Sequence, residues 1–252
     1  MMQQDLRLAV LIDAENVPYS NVTGMLEEIT RYGTPTVKRI YGDWTTQNMS
    51  GWKNVLVPNA IVPIQQYCYT AGKNSSDSAM IIDAMDILYE GNTDGFCLVS
   101  SDSDFTRLAT RLRESGKKVY GFGEKKTPDS FIAACDKFIY LEIISSDGQD
   151  ADSAGSTDGN TRKRREISKV DRAVIQLIAN SVSDLANEDG WAFLGEVGSL
   201  ILKKKPDFDS RNYGFSKLSL LIESTKKFEL DSRERGHKGH NVYVRNRGKS
   251  NH

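Results

Sequence analysis

The stretch Phe96-Cys-Leu-Val-Ser-Ser-Asp-Ser-Asp-Phe105 shows the pattern that decides the fold. A short apolar run, typical of a strand buried on both faces, passes directly into a polar segment that contains Asp102 and Asp104. The apolar run Arg7-Leu-Ala-Val-Leu-Ile12 ends in the same way, on Asp13. Open α/β sheets bind ligands outside the carboxyl ends of their strands, so we expect these acids to meet on one edge.

Strand-like and helix-like segments alternate over the first 145 residues. This alternation predicts a parallel sheet with helices on both faces, in the class of α/β proteins. The predicted strands are Leu8–Ile12, Thr36–Tyr41, Ala60–Gln65, Gly95–Val99, Lys118–Phe122 and Phe138–Ile143. The predicted helices are Asn21–Arg31, Ser78–Tyr89, Phe105–Ser115 ended by Gly116, and one that starts at Pro128 with Thr127 as its N-cap.

A second domain is predicted after a break in composition. Residues 146–166 contain no Leu, Ile, Val or aromatic residue and are rich in Ser, Asp and Gly, so they predict a flexible linker between a domain over 5–145 and one over 167–247. The later domain shows three helical patterns followed by two strand-like runs, the order of a winged helix. These segments are Val170–Val182, Leu194–Leu202, Phe215–Ser224, Phe228–Leu230 and Val242–Val244.

Charge is divided unequally along the chain. Residues 1–159 hold 14 Lys+Arg against 22 Asp+Glu, a net charge of -8, whereas residues 160–252 hold 19 against 12, a net charge of +7. A basic half is a candidate for binding polyanions. Its cluster Lys203, Lys204 and Lys205 fits phosphate contacts, although charge runs are usually solvated faces. Its aromatic residues, Trp191 and Phe193 among them, are expected mostly in the core, with one or two available to stack on bases.

Cysteine usage and hydropathy indicate the compartment. Cys68, Cys97 and Cys135 have no metal-ligand spacing, and the last two lie in apolar runs, so buried free thiols are expected. Reduced thiols are typical of a reducing compartment. No apolar run approaches the ~18 residues of a membrane span, and the start Met-Met-Gln-Gln-Asp5 lacks a basic-then-apolar leader. We therefore expect a cytoplasmic protein that contacts no membrane.

Four aspartates are the candidate metal ligands: Asp13, Asp77, Asp102 and Asp104. Two carboxylates about 4 Å apart repel each other by roughly 4 kcal/mol at an effective dielectric near 20. Hard cations with oxygen ligands, chiefly Mg²⁺ or Mn²⁺, relieve that repulsion. The alternative for each acid is a helix N-cap or a first-turn acid that complements the helix dipole. A cap needs only one acid, however, and the segment after Val99 supplies two.

Other polar residues near these acids are expected to support the site. Ser100 belongs to the same turn as Asp102, and Asn16 can hold a metal-bound water or a scissile phosphate, or it can cap the following helix. Glu15 is expected to be solvated or structural. Asp83 lies about 240° around the predicted helix from Asp77 and is as compatible with a structural role as with a catalytic one. Lys73 and the pair Lys125 and Lys126 are candidates for holding a nucleic-acid backbone, with a solvated loop as the alternative.

Several of these motifs resemble a known family. The segments Val10-Leu-Ile-Asp-Ala-Glu-Asn16, Gly72–Asp83, Val99-Ser-Ser-Asp-Ser-Asp-Phe105 and Gly116–Gly121 resemble the NYN domain, a LabA-like branch of the PIN-like nucleases, over roughly residues 5–145. The resemblance implies a Rossmannoid fold and a Mg²⁺- or Mn²⁺-dependent ribonuclease. It implies that Asp13, Asp77, Asp102 and Asp104 form the catalytic metal site, supported by Asn16 and Asp83.

The second domain resembles an RNA-binding module. Trp191, Leu194, Val197, Phe208, Tyr213-Gly214, Lys217-Leu218 and Phe228-Glu-Leu230 are similar to the OST-HTH or LOTUS domain, a winged helix, over about residues 167–247. RNA as the partner rests on these resemblances, since composition does not distinguish RNA from DNA. A homodimer is compatible with the sequence.

Two other functions are compatible with parts of the pattern. The first is a non-catalytic RNA-binding adaptor in which the PIN-like domain is a scaffold. The second is a phosphatase of the haloacid-dehalogenase type, which also places an Asp at a strand end. That phosphatase expects a second Asp two residues later, where this chain has Glu15.

Overall fold

The protein is described by a computed structural model, which covers residues 5–67, 75–144, 168–234 and 240–247. The pattern of residue contacts divides the chain into two compact units, Met1–Arg162 and Lys163–His252, and each is described by itself. The predicted linker and Lys73 lie outside the described residues, as does Cys68.

The first unit is built on a six-stranded sheet in which every pairing is parallel. The strand order is β3-β2-β1-β4-β5-β6, and the predicted parallel α/β sheet is confirmed. The strands are β1 (Arg7–Asp13), β2 (Thr34–Gly42), β3 (Val62–Gln65), β4 (Gly95–Val99), β5 (Lys118–Gly123) and β6 (Lys137–Tyr140). The helices are α1 (Val22–Ile29), α2 (Lys53–Leu56), α3 (Ser75–Glu90), α4 (Thr106–Glu114), α5 (Asp129–Ala134) and α6 (Leu141–Ile144).

Residues 8–12 of the central strand β1 are all apolar because they are buried on both faces of the sheet. Val10 packs in one core with Met25 of α1, and Leu11 packs in the other core with Met80 of α3. Side chains alternate between the faces of a strand, so a strand between two helical layers has no polar face. Each such side chain stabilises the fold by roughly 1.5–3 kcal/mol. The continuous apolar run before Asp13 is therefore a direct consequence of its central position.

Two local predictions were wrong. The last predicted strand ends at Tyr140, and Leu141–Ile144 forms the short helix α6, which packs against α1. A short apolar run does not distinguish a buried strand from a buried helix by its periodicity. Thr127 is also not the N-cap of α5: Pro128 holds that position, and the Thr127 hydroxyl donates to the Glu124 carbonyl oxygen at 2.6 Å.

The second unit has three helices followed by a β-hairpin, as predicted for a winged helix. Its helices are α7 (Arg172–Leu185), α8 (Leu194–Lys204) and α9 (Leu218–Thr225). Its antiparallel sheet has the order β7-β9-β8, formed by β7 (Ala192–Phe193), β8 (Phe228–Glu234) and β9 (His240–Asn246). The unit has its own apolar core, in which residues such as Ile178, Ile201 and Val244 are fully buried.

The two described cysteines, Cys97 and Cys135, are buried free thiols, as predicted. Burial raises the pKa of Cys135 to about 12, so its thiol stays protonated and unreactive at neutral pH. Within the described ranges, no helix has both the length and the apolar character that crossing a membrane requires.

Candidate metal centre

The candidate site lies where β1 and β4 adjoin. Asp13 is the last residue of β1 and Ser100 directly follows β4, and these strands are parallel neighbours. This border is also where the strand order reverses, with β2 and β3 on one side and β5 and β6 on the other. Ligands of open α/β sheets bind in the crevice at such a switch point.

Asp13 is held by its neighbours. Its side chain is buried, and its Oδ2 accepts hydrogen bonds from Ser100 Oγ at 2.8 Å and from Asn16 Nδ2 at 2.7 Å. Its Oδ1 accepts from the backbone N–H of Glu15 at 3.0 Å. A buried carboxylate needs such partners to offset its lost hydration. Asn16 thus binds Asp13 and does not cap α1, which begins after Asn21.

Three of the four predicted ligands come together. Asp77, Asp102 and Asp104 each offer a carboxylate oxygen, and these oxygens lie within 4.8 Å of one another. Asp77 is in the first turn of α3, and Asp102 is the N-cap of the 3-10 turn that contains Asp104. The backbone N–H of Asp104 donates to Asp102 Oδ1 at 2.9 Å, so Asp102 both caps the turn and belongs to the cluster. Asp13 is not part of this group of three.

The hydroxyl of Ser100 links Asp13 to the turn that carries the cluster. It donates to Asp13 and accepts a hydrogen bond from the backbone N–H of Asp102 at 3.1 Å. Ser100 is fully buried, so water does not compete for these bonds. The end of β1 and the turn after β4 are therefore fixed relative to each other through one side chain.

The surroundings of Asp77 disfavour the ionised form of its carboxyl group. Burial raises its pKa to about 6, and the negative charges of Asp13, Asp102, Glu15 and Asp104 contribute in that order. Desolvation and neighbouring like charges both disfavour an ionised carboxyl group. A divalent cation placed among these oxygens would reverse the second effect.

Two acids that the sequence analysis did not select contribute to the same field. The pKa of Glu15 is raised by desolvation and by the charges of Asp13 and Asp43, while a hydrogen bond from Ser76 lowers it. Asp43 directly follows β2, and its Oδ1 accepts from Gln65 Nε2 at 2.9 Å. The rule that selected Asp13, an acid directly after a parallel strand, also applies to Asp43 and would have found it.

Asp83 is placed away from the cluster. It pairs with the guanidinium of Arg39 and accepts a hydrogen bond from the hydroxyl of Tyr41, both on β2. Burial, and then the contact with Asp83, raise the pKa of Tyr41, so its hydroxyl remains a donor. Asp83 thus anchors α3 to the sheet, and it supports the position of Asp77 through the helix.

The predicted lysines occupy different environments. The backbone N–H of Lys125 donates to Glu142 Oε1 at 2.9 Å, and the ammonium group of Lys126 pairs with Glu124. In the second unit, Lys204 pairs with Asp184 at 2.6 Å.

Lys205 pairs with Asp207 at 2.9 Å, and Lys203 is exposed in the last turn of α8. Exposed ion pairs are worth only ~0–1 kcal/mol, so phosphate can compete for the paired lysines.

Removing the charge of Asp77 should stabilise the metal-free protein. A folded-state pKa near 6 means that the unfavourable charge develops between about pH 4 and pH 6 and is complete at neutral pH. Two pKa units correspond to ~3 kcal/mol of destabilisation by the charge. The substitution also removes the favourable interaction of Asp77 with the helix dipole, which reduces the gain in stability by ~0.3–1 kcal/mol. We therefore expect Asp77→Asn to raise the free energy of unfolding in EDTA at pH 7.5 by about 1–3 kcal/mol, measured by denaturant unfolding.

The control is Asp86→Asn, an exposed acid on the same helix. It should leave the unfolding free energy unchanged within ~0.5 kcal/mol. Below pH 4.5 the advantage of Asp77→Asn should disappear, and Mn²⁺ should stabilise the wild type but not this variant. Equal stability of wild type and Asp77→Asn at pH 7.5 in EDTA would show that the acids do not repel one another.

The fold and site define a PIN-like α/β protein with a carboxylate cluster at its switch point. A family model of the NYN domain matches residues 7–142, and a model of the OST-HTH/LOTUS domain matches residues 165–240. The chain belongs to the NYN domain family and carries an OST-HTH/LOTUS domain after it. This assignment agrees with the sequence resemblance and leaves no support for the phosphatase alternative. No curated protein sequence matches the chain significantly.

Some solved structures are similar to parts of the chain. A crystal structure of a protein of unknown function from Vibrio parahaemolyticus is 21% identical, with a TM-score of 0.46, and covers 55% of this chain and 94% of its own. An NMR structure of an uncharacterised protein from Nitrosomonas europaea is 28% identical, with a TM-score of 0.31, over 40% of this chain and 96% of its own. An NMR structure from Chromobacterium violaceum is 26% identical, with a TM-score of 0.28, over 34% and 92%.

Proposed function

We propose that the chain is a metal-dependent ribonuclease that hydrolyses RNA phosphodiesters at the cluster of Asp77, Asp102 and Asp104. The observation that carries this proposal is the approach of three carboxylate oxygens to within 4.8 Å of one another at the switch point of the sheet. Membership of the NYN family supports nuclease chemistry, and the OST-HTH/LOTUS domain supports RNA as the substrate.

The donor set fits Mg²⁺ or Mn²⁺. All three groups are carboxylates, which hard divalent cations prefer, and no sulfur or imidazole is among them. Two ligands that are each ~2.1 Å from one ion are at most ~4.2 Å apart, so small rotations of these side chains are sufficient to hold it. Asp13 adjoins these ligands: its carboxylate accepts a hydrogen bond from Ser100, whose hydroxyl also accepts the N–H of Asp102.

The residues around the cluster prepare it for this role. When bound, a divalent ion supplies polarisation of the phosphoryl group and positive charge for the leaving oxygen. Ser100 and Asn16 hold Asp13 in one orientation, and Asp102 is held by the N–H of Asp104. Such outer hydrogen bonds fix the geometry of metal ligands. Glu15, partly desolvated and close to Asp13, adds negative charge to this region and contributes to the raised pKa of Asp77.

Other expectations complete the proposal. Lys125 and Lys126 are on the loop after β5, at the same carboxyl edge as the acids, and are proposed to contact the RNA backbone. Lys203, Lys204 and Lys205 are proposed to do so in the second unit. The buried reduced thiols fit a cytoplasmic protein. Homodimerisation remains a prediction.

The direct test is cleavage of a fluorescent single-stranded RNA by the full chain in EDTA, Mg²⁺ and Mn²⁺. We expect cleavage with either metal and none in EDTA. A parallel titration with Mn²⁺, read as an increase in melting temperature, separates metal binding from turnover. RNA that is bound but uncut under all three conditions would contradict the nuclease and favour the non-catalytic adaptor.

A further inference from the structure

One face of the small sheet in the second unit carries aromatic and arginine side chains. Val244 of β9 is buried in the core of the unit, and its neighbour Tyr243 is opposite Phe193 of β7 and Asp231 of β8. Because side chains alternate along a strand, Tyr243 and its partners project from the side of the sheet that faces away from the helices. We call the group Trp191, Phe193, Arg233, Tyr243 and Arg245 the wing face.

The rings and guanidinium groups of the wing face are stacked on one another. The guanidinium of Arg245 lies 4.7 Å from the ring centre of Trp191. The guanidinium of Arg233 lies 4.5 Å from the ring of Tyr243 and 5.4 Å from that of Trp191. The rings of Phe193 and Tyr243 are 5.8 Å apart and tilted by 55°. Alternating flat cations and rings form a continuous stacking surface.

The wing face is ordered by its own contacts, and within the described residues of the second unit its members Phe193 and Arg233 are exposed. Arg233 pairs with Asp231 at 2.8 Å, and Arg245 pairs with Glu229, which holds both guanidinium planes in place. Phe193 is 36% exposed although it is a large apolar residue. A depression of about 760 Å³ adjoins Trp191, and its lining combines the basic residues Lys226 and Arg247 with the acids Glu223, Glu229 and Asp231. Flat rings, cations and open space therefore occur together.

We propose that the wing face stacks the bases of single-stranded RNA, an inference that rests on the proposed action of this chain on RNA. Every base has a flat face, but in a duplex these faces are covered by neighbouring bases. Unpaired bases stack on aromatic rings and on guanidinium planes, while the N–H groups of arginine and lysine reach the phosphates. The composition of the wing face matches this ligand.

The stacking of Arg245 on Trp191 would also be expected if these two side chains only stabilised the sheet. Phe193 is therefore the residue whose substitution tests RNA binding by the wing face. It is exposed and its ring contact is with Tyr243, whereas Trp191 lies under two guanidinium groups. Replacing Phe193 by leucine retains apolar volume and removes the flat ring. Loss of RNA binding without loss of stability then indicates stacking.

The test uses the full chain in EDTA, with a fluorescent oligoadenylate and an RNA duplex of equal length as probes. Fluorescence anisotropy should show tighter binding to the single strand, and Phe193→Ala and Phe193→Leu should each weaken it by roughly 10-fold (about 5- to 100-fold). The matched control is Leu220→Ala, another exposed apolar residue of the same unit, which should bind as the wild type does. Oligoadenylate should quench the tryptophan emission of the wild type but not of Trp191→Phe.

The outcomes separate this inference from the proposed function. If the wild type binds the single strand and a folded Phe193→Leu variant binds equally well, the wing face is not the site, and the nuclease proposal is unaffected. Equal binding of duplex and single strand would also overturn base stacking. If the wild type binds neither RNA, the proposed function itself is contradicted. Melting temperatures of all variants establish which of them are folded.

Discussion

Asp102→Asn should lower the rate of Mn²⁺-dependent RNA cleavage by more than ~100-fold. Loss of an outer partner of a metal ligand typically costs about 10–100-fold, and loss of a ligand itself should cost more. The substitution is close to isosteric and keeps the side-chain oxygen that accepts the N–H of Asp104 at 2.9 Å. The turn after β4 should therefore remain folded, and the effect should come from the missing charge. Single-turnover cleavage rates with saturating enzyme would measure it.

Two controls define this result. Asp86→Asn removes an acid of the same type from an exposed position on α3 and should retain the wild-type rate. RNA affinity of Asp102→Asn in EDTA should be unchanged or slightly higher, because a negative charge near the substrate has been removed. Equal cleavage by Asp102→Asn and wild type would contradict the assignment of the metal site. Equal absence of cleavage in both would favour the adaptor.

Lys203→Gln combined with Lys204→Gln should weaken RNA binding and reduce its dependence on salt. Both lysines are in the last turn of α8, and each phosphate contact with a single strand contributes about -0.7 to the slope of log affinity against log salt concentration. If both lysines contact phosphate, the slope should become less steep by about 1.4. Binding isotherms of the full chain in EDTA at several salt concentrations would give the slope.

The charge-matched control for the lysine pair is Arg111→Gln with Lys118→Gln. Arg111 is near the end of α4 and Lys118 starts β5, so both lie in the first unit, away from the carboxyl edge of its sheet. The control removes the same charge and should leave the slope unchanged. A slope that falls equally in both variants would indicate a general charge effect and no phosphate contact at α8.

The edge of the sheet at which the acids cluster could be derived largely from sequence. Continuous apolar runs such as Leu8–Ile12 are buried on both faces, and parallel strands end on the same edge, so a polar residue directly after such a run lies near a ligand-binding crevice. This argument led to Asp13 and Asp102. Applied to β2, which ends at Gly42, the same argument also leads to Asp43.

The distinct situations of the acids could not be derived from sequence. Asp13 and Asp102 both follow apolar strands, yet Asp13 is buried and accepts three hydrogen bonds, whereas Asp102 faces Asp77 and Asp104. The difference comes from Asn16, three residues further along the chain, and from Ser100, which the pairing of β4 with β1 brings to Asp13. Asp83 shows the same limit, because it lies on α3 and its partners Arg39 and Tyr41 are contributed by β2.

The sequence by itself determined the α/β class, the order of the elements, the basic second domain and the family. Strands buried on both faces appear as continuous apolar runs, and helices appear as apolar residues at helical spacing, so both patterns can be read from the order of residues. Only the tertiary structure decided which acids share one cluster, which are held by hydrogen bonds, and that Trp191, Phe193 and Tyr243 lie on one face with two arginines. These facts depend on the directions of side chains from separate strands, and strand pairing brings such residues together across dozens of intervening positions.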